Sequence, residues 1–185
     1  MKICVDAGHG GADPGAIGRR PFELAEKVVT LAVAEALEGE LERRGHWVVM
    51  TRRQDRTLAL DARAEFANRL EADLFVSVHA NAAASVDVHG MEVFHFPGSA
   101  PGGVFALSIL ARMLAAFPTH RNRGVKEANF AVLRRTRMPA VLVELEFLTH
   151  PDGLAFLSES ANRRGLAEAI AAGVPGGDPE PLMFA

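Results

Sequence analysis

Short apolar runs alternate with longer stretches of helical period along this chain, and no other feature restricts its fold as much. Residues 3–7, 47–51, 74–78, 91–96 and 140–145 are brief, largely apolar and rich in β-branched side chains. Such runs suit strands buried on both faces. Between them lie segments whose apolar residues recur every three or four positions. From 26 to 44 these are Val28, Leu31, Ala34, Leu37 and Leu41, and Gly45 supplies a stop. Residues 60–70, 104–117, 153–157 and 161–172 read the same way, with Pro118 closing 104–117. A further short strand is expected over 130–133. Strands alternating with helices predict an α/β fold, a single-domain three-layer sandwich with a mostly parallel sheet and helices on both faces. A length of 185 residues suits one domain. No repeat or linker divides it. The domain is expected over 1–175 and a flexible tail over 176–185, where GGDPEPLMFA opens with breakers.

Composition excludes several classes. With 49% hydrophobic and 23% charged residues the chain is not a disordered one. A formal charge of -3 argues against a broad basic surface, so no nucleic-acid partner is expected. No stretch approaches the ~18 apolar residues of a membrane helix, so no membrane partner is expected either. The opening MKICVDAGHGG lacks an apolar leader and a cleavage site, which implies a chain that is cytoplasmic as synthesised. The single cysteine, Cys4, excludes an internal disulfide and a cysteine zinc cluster.

Ligands of open α/β sheets bind where the strands end. His9 follows the first strand, His79 ends the 74–78 run, and Glu144 lies late in the 140–145 run. Two imidazoles and a carboxylate suit a divalent transition metal such as zinc, which keeps a position open for water in catalytic sites. Each residue also has a plainer reading. His9 fits a hydrogen-bonded loop residue, and so does His79 beside Asn81. Glu144 is the stronger signal, because a carboxylate in an apolar strand is costly to bury unless paired or ligated. His46, His89, His95, His120 and His150 read mostly as surface residues. The glycine-rich DAGHGGADPGAIG lacks the lysine and Ser/Thr of a phosphate-binding loop.

These pieces, in order, resemble a known family. VDAGHGGADPGAIG, AEKVVTLAVA, TRRQDRTLALDARAEFANRLEADLFVSVHANA and RGVKEANFAVLRRTRMPAVLVELEFLTHPDGLAFL together are similar to the zinc-dependent N-acetylmuramoyl-L-alanine amidases. That family includes catalytic domains of bacterial cell-wall amidases and of phage endolysins. The resemblance implies Zn2+ held by His9, Glu26 and His79, with Glu144 as the catalytic carboxylate. Glu23 competes with Glu26, but Lys27, Leu31 and Ala32 follow Glu26 in the family pattern. The implied substrate is peptidoglycan, cut at the amide between N-acetylmuramic acid and L-alanine of the stem peptide. The implied enzyme is a monomer acting on muramyl peptides of the wall after release or export. Two other functions compete: a non-catalytic peptidoglycan-binding module of the same fold, and a zinc peptidase acting on another amide. Arg63 and Asn68 are expected to tie a helix to neighbouring loops, and Asn81 to orient His79 or a substrate carbonyl. Arg123, Lys126 and Asn129 are placed on a loop, either lining the cleft or holding structure. Glu146 and His150 depart from the family pattern. In a regular strand Glu146 shares a face with Glu144 and raises its pKa. His150 before Pro151 suits a helix cap. The stretch 82–122 is short for the inhibitory helix of some division amidases, which implies activity without a partner.

Overall fold

Nearly unbroken burial along the central strands places core on both sides of one sheet. The computed structural model describes residues 1–176. Its elements are β1 (Lys2–Ala7), β2 (Ile17–Gly18), β3 (Leu24–Ala25), α1 (Glu26–Arg43), β4 (Trp47–Met50), α2 (Leu60–Arg69) and β5 (Leu74–Asn81). They continue with β6 (Met91–His95), α3 (Ala100–Ala116), β7 (Asn122–Glu127), α4 (Ala131–Arg135), β8 (Ala140–Phe147), α5 (Pro151–Ser158) and α6 (Ser160–Ala172). Six strands form the sheet in the order β4-β1-β5-β8-β6-β7, and β2 and β3 make a separate two-stranded ribbon. The first four are mutually parallel, while β6 runs antiparallel to β8 and β7 parallel to β6. The sheet is thus mostly parallel, with helices on both faces.

Side chains two apart share a strand face. Ile3, Val5, Val76, Val141 and Val143 pack with the apolar faces of α1, α3, α5 and α6. Cys4, Phe75 and Leu142 face the other way, onto Ala67 of α2 and Val132 and Leu133 of α4. Among the described residues no helix is long and apolar enough to cross a membrane. The tail expected over 176–185 lies, from 177 on, outside the described residues.

These expectations need correction. Residues 130–133 are not a strand: Phe130 caps α4, whose Val132 and Leu133 are buried. Arg123 and Lys126 lie on edge strand β7 rather than on a loop. Glu146 does not share a face with Glu144. Between His79 and Asn81 of β5 the pairing advances from Glu144 to Phe147 on β8, so β8 carries an extra residue. Such a bulge breaks the two-residue period and re-aims the side chain. Glu144 lines a cleft with Leu142. Glu146 instead packs on Gly153 of α5 and accepts hydrogen bonds from Gly90 N and from His120 Nδ1, the latter at 2.7 Å. Two histidines read as surface residues are enclosed as well: His46 is buried, and His120 pairs with Glu146. His150 caps α5 by accepting from Gly153 N.

Candidate metal centre and catalytic cleft

The parallel strands β1, β5 and β8 end side by side, and their ends deliver His9, His79 and Glu144 to one edge. Glu26 arrives from the first turn of α1, where the helix dipole favours a carboxylate. One donor atom from each of His9, Glu26 and His79 lies within 4.8 Å of the others. His9 Nε2 is 3.1 Å and His79 Nδ1 2.9 Å from Glu26 Oε1. The two imidazoles meet edge to face at 4.9 Å between centroids.

The surroundings fix each of these side chains. His9 Nδ1 pairs with Asp13 Oδ2 at 2.8 Å, the kind of outer contact that orients a metal-ligating imidazole. Glu26 accepts from Ala16 N at 2.8 Å and from Ala80 N at 3.0 Å. His9 has φ of 60°, a left-handed conformation rare outside glycine. Two buried arginines hold the loop there. Arg52 donates to the carbonyls of Ala7 and Gly8, and Arg63 to those of Ala7 and His9. Arg63 also pairs with Asp6 at 2.8 Å, with both side chains buried. Asp6 is further held by the hydroxyls of Thr51 and Ser77. Arg63 therefore ties α2 to the His9 loop. Asn68 ties α2 to α4 through Arg135 O and Arg137 N.

Electrostatics sort the carboxylates. Burial works against the charge of Glu26, but hydrogen bonds to His79 and His9 outweigh it and hold its pKa far below the usual carboxylate range. Burial likewise opposes the His9 imidazolium, and Glu26 and Asp13 outweigh that, so its pKa is raised. Glu144 behaves oppositely. Burial, then the charges of Glu26 and Glu92, push its pKa well above the usual range. Its Oε2 is buried with no hydrogen-bond partner among the described residues. Next to the metal-ligand candidates stands a carboxyl group that is poised to hold a proton.

His9, His79 and Glu144 line a cleft of about 450 Å³. Leu58, Leu60, Phe130 and Val132 give its far wall an apolar character. Asn81 does not orient His79. Its amide donates to Glu92 Oε1 at 2.6 Å. Glu92 is the site residue that the sequence reading missed. It lies buried in β6, directly across from Glu144, and also accepts from Arg123 and Lys126. The signal for it was available: like Glu144, it is a carboxylate inside an apolar run.

Fold and cleft together define a single α/β domain with two histidines and a carboxylate clustered at the strand ends, beside a further buried carboxyl group. A sequence profile of the N-acetylmuramoyl-L-alanine amidases matches residues 3–175. This chain belongs to that family. It is 33% identical over 172 residues to the probable cell wall amidase LytH of Staphylococcus saprophyticus, with 93% of this chain aligned. The chain spans 56% of that relative's length. Among solved structures, N-acetylmuramoyl-L-alanine amidase AmiC2 of Nostoc punctiforme superposes with a TM-score of 0.88 at 36% identity, covering 94% of both chains. The catalytic domain of CwlV, an amidase from Bacillus (Paenibacillus) polymyxa, gives 0.86 at 34%, covering 93% of this chain and 94% of that one.

Proposed function

We infer that this chain is a zinc-dependent peptidoglycan hydrolase that cuts the amide between N-acetylmuramic acid and L-alanine of the stem peptide. The observation that carries this is the clustering of the His9, Glu26 and His79 donors at a cleft that His9, His79 and Glu144 line. The donor set fits zinc in kind and number: two imidazoles and one carboxylate, the usual three protein ligands of a catalytic site. The packing fits as well. A Cβ on Gly15 would come within 2.5 Å of Glu26 Oε2 and 2.7 Å of His9 Cδ2, so this backbone is cut to the space the ligands need.

Bound zinc supplies Lewis acidity, which polarises a carbonyl and brings the pKa of water near 7. The rest falls to the chain's own residues. Glu144 takes a proton from water as it attacks the amide carbonyl. It then returns that proton to the departing amine, without which the amide has no adequate leaving group. Burial and the nearby charges make Glu144 a stronger base than an exposed carboxylate, and a cation held by Glu26 would offset one of those charges and leave Glu144 ionised for the first step. Asp13 holds His9 in orientation, and the Arg52 and Arg63 contacts keep its backbone in place. The apolar wall formed by Leu58 and Phe130 keeps bulk water from one side of the reacting group.

The test is metal content and turnover measured together. Purified protein is expected to carry one zinc per chain and to lose hydrolysis of muramyl peptides on chelation. Full activity after complete removal of metal refutes the assignment.

A further inference from the structure

Glu92, Arg123 and Lys126 form a charged group that the chemistry above does not use. Glu92 Oε1 is taken by Asn81, and Oε2 accepts from Arg123 Nε at 3.0 Å and from Lys126 Nζ. One carboxylate faces two cations, so the group keeps one positive charge in excess. Glu92 is buried, whereas the Arg123 and Lys126 side chains are 22% and 38% exposed. The excess charge is therefore accessible. Glu127, the next residue of β7, is in regular register with His95 and so points to the opposite face from Lys126, where it accepts from Gly98 N.

The charge borders the cleft. Lys126 Nζ lies 5.8 Å above the Phe94 ring, Phe94 meets Phe130 at 5.2 Å, and Phe130 and Glu144 line the same cavity. Arg123 Cζ lies over the Phe147 ring, 4.8 Å from its centroid. Strand order gives the scale. His79, Glu144, Glu92 and Lys126 stand on β5, β8, β6 and β7, four successive strands. Lys126 is two strands from Glu144, about 10 Å at the usual strand spacing. An extended peptide crosses that distance in about three residues.

We propose that Arg123 and Lys126 form a subsite for a carboxylate of the stem peptide, on the amine side of the scissile amide and at its second or third residue. The subsite makes the enzyme prefer a free carboxylate there over a carboxamide. The preference rests on the amidase reading for its place in the reaction, but it is a binding property and is measured as one.

The probes are two synthetic peptides that begin with L-alanine and differ only in having free or amidated carboxyl groups on residues two and three. Equilibrium binding to the zinc-loaded protein is expected to favour the free carboxylates about tenfold, the scale of one charge-assisted contact near solvent. The ratio shrinks as salt rises, because the site is partly exposed. Lys126→Met brings the ratio close to one, since the remaining Arg123 is balanced by Glu92. Lys126→Arg keeps it. A purely structural Lys126 would change the binding of both peptides alike and leave the ratio untouched. Equal binding by the wild type, or an undiminished ratio in Lys126→Met, overturns the subsite. The muramoyl forms of the same peptides separate the two claims. Discrimination in binding with hydrolysis of neither form sinks the amidase reading and leaves the subsite standing. Hydrolysis of both with equal KM and equal binding does the reverse.

Discussion

Gly15→Ala isolates how tightly the ligand cluster is built. Gly15 has φ of 65°, and an added Cβ would lie 2.5 Å from Glu26 Oε2, 2.7 Å from His9 Cδ2 and 2.8 Å from Glu26 Cβ. The left-handed backbone costs an alanine about 1–2 kcal/mol. The overlap adds a second effect. Carbon and its neighbours prefer to sit about 3.5–4.0 Å apart, so the Glu26 carboxylate must retreat by on the order of 1 Å. That exceeds the roughly 0.5 Å tolerance of a preorganised site. Zinc affinity should fall by about 10–100-fold, the range seen when the support of a metal ligand is disturbed. Gly98→Ala is the control, because Gly98 has φ of 77° and a Cβ added there would meet nothing within 4 Å. It carries the backbone cost alone. Denaturant unfolding of the metal-free proteins should show Gly98→Ala destabilised by about 1–2 kcal/mol and Gly15→Ala by more, since the overlap adds to the backbone cost. Chelator competition should show weakened zinc binding in Gly15→Ala only. Zinc affinity of Gly15→Ala within about twofold of wild type would refute the idea that this backbone is shaped around the ligands.

Glu144→Gln should retain zinc yet lose at least ~100-fold in turnover, the usual scale for general acid-base catalysis, as steady-state kinetics beside metal analysis will show. The same variant tests the raised pKa in metal-free protein. Below the ordinary carboxylate range, around pH 4, both folded and unfolded chains bind this proton and Glu144 has no effect. Above it the unfolded chain releases the proton first, so wild-type stability falls as pH rises towards the raised folded value. Glu144→Gln should thus be the more stable protein at neutral pH, and the difference should vanish on acidification. Glu146→Gln should leave the acidic limb of the pH-rate profile in place, because Glu26 and Glu92 are the carboxylates that act on Glu144. Arg63→Met strands the buried Asp6 carboxylate and should cost about 3–5 kcal/mol in chemical denaturation. Purified protein should release peptide from isolated walls without an activator, since the structured elements between Asn81 and Asn122 are β6 and α3. Silence until a partner is added would contradict this.

Periodicity carried most of the architecture. The strands with long apolar runs and the helix from Glu26 were legible because burial on two faces, or on one helical stripe, leaves a strong pattern. Strand β7 was not, because NRGVKE carries one large apolar residue and lies at the sheet edge, where side chains stay polar. FAVL over 130–133 was misread because a short apolar run does not separate strand from buried helix. The candidate site was legible in part. Spacing alone offered His9, His79 and Glu144 as one metal set, while the donors gathered within 4.8 Å are His9, Glu26 and His79. Nothing local marks Glu26, an acid in a first helical turn, and its choice came from the resemblance. The face of Glu146 was not legible either, since a single-residue bulge leaves no trace in the residue pattern.

Mass spectrometry of muropeptides after incubation with zinc-loaded protein tests the central claim most directly. Free stem peptides bearing an L-alanine amino terminus are expected, together with peptide-free glycan strands, and neither product from Glu144→Gln. Stem peptides cut at an internal bond, or walls bound but left chemically unchanged, would contradict it.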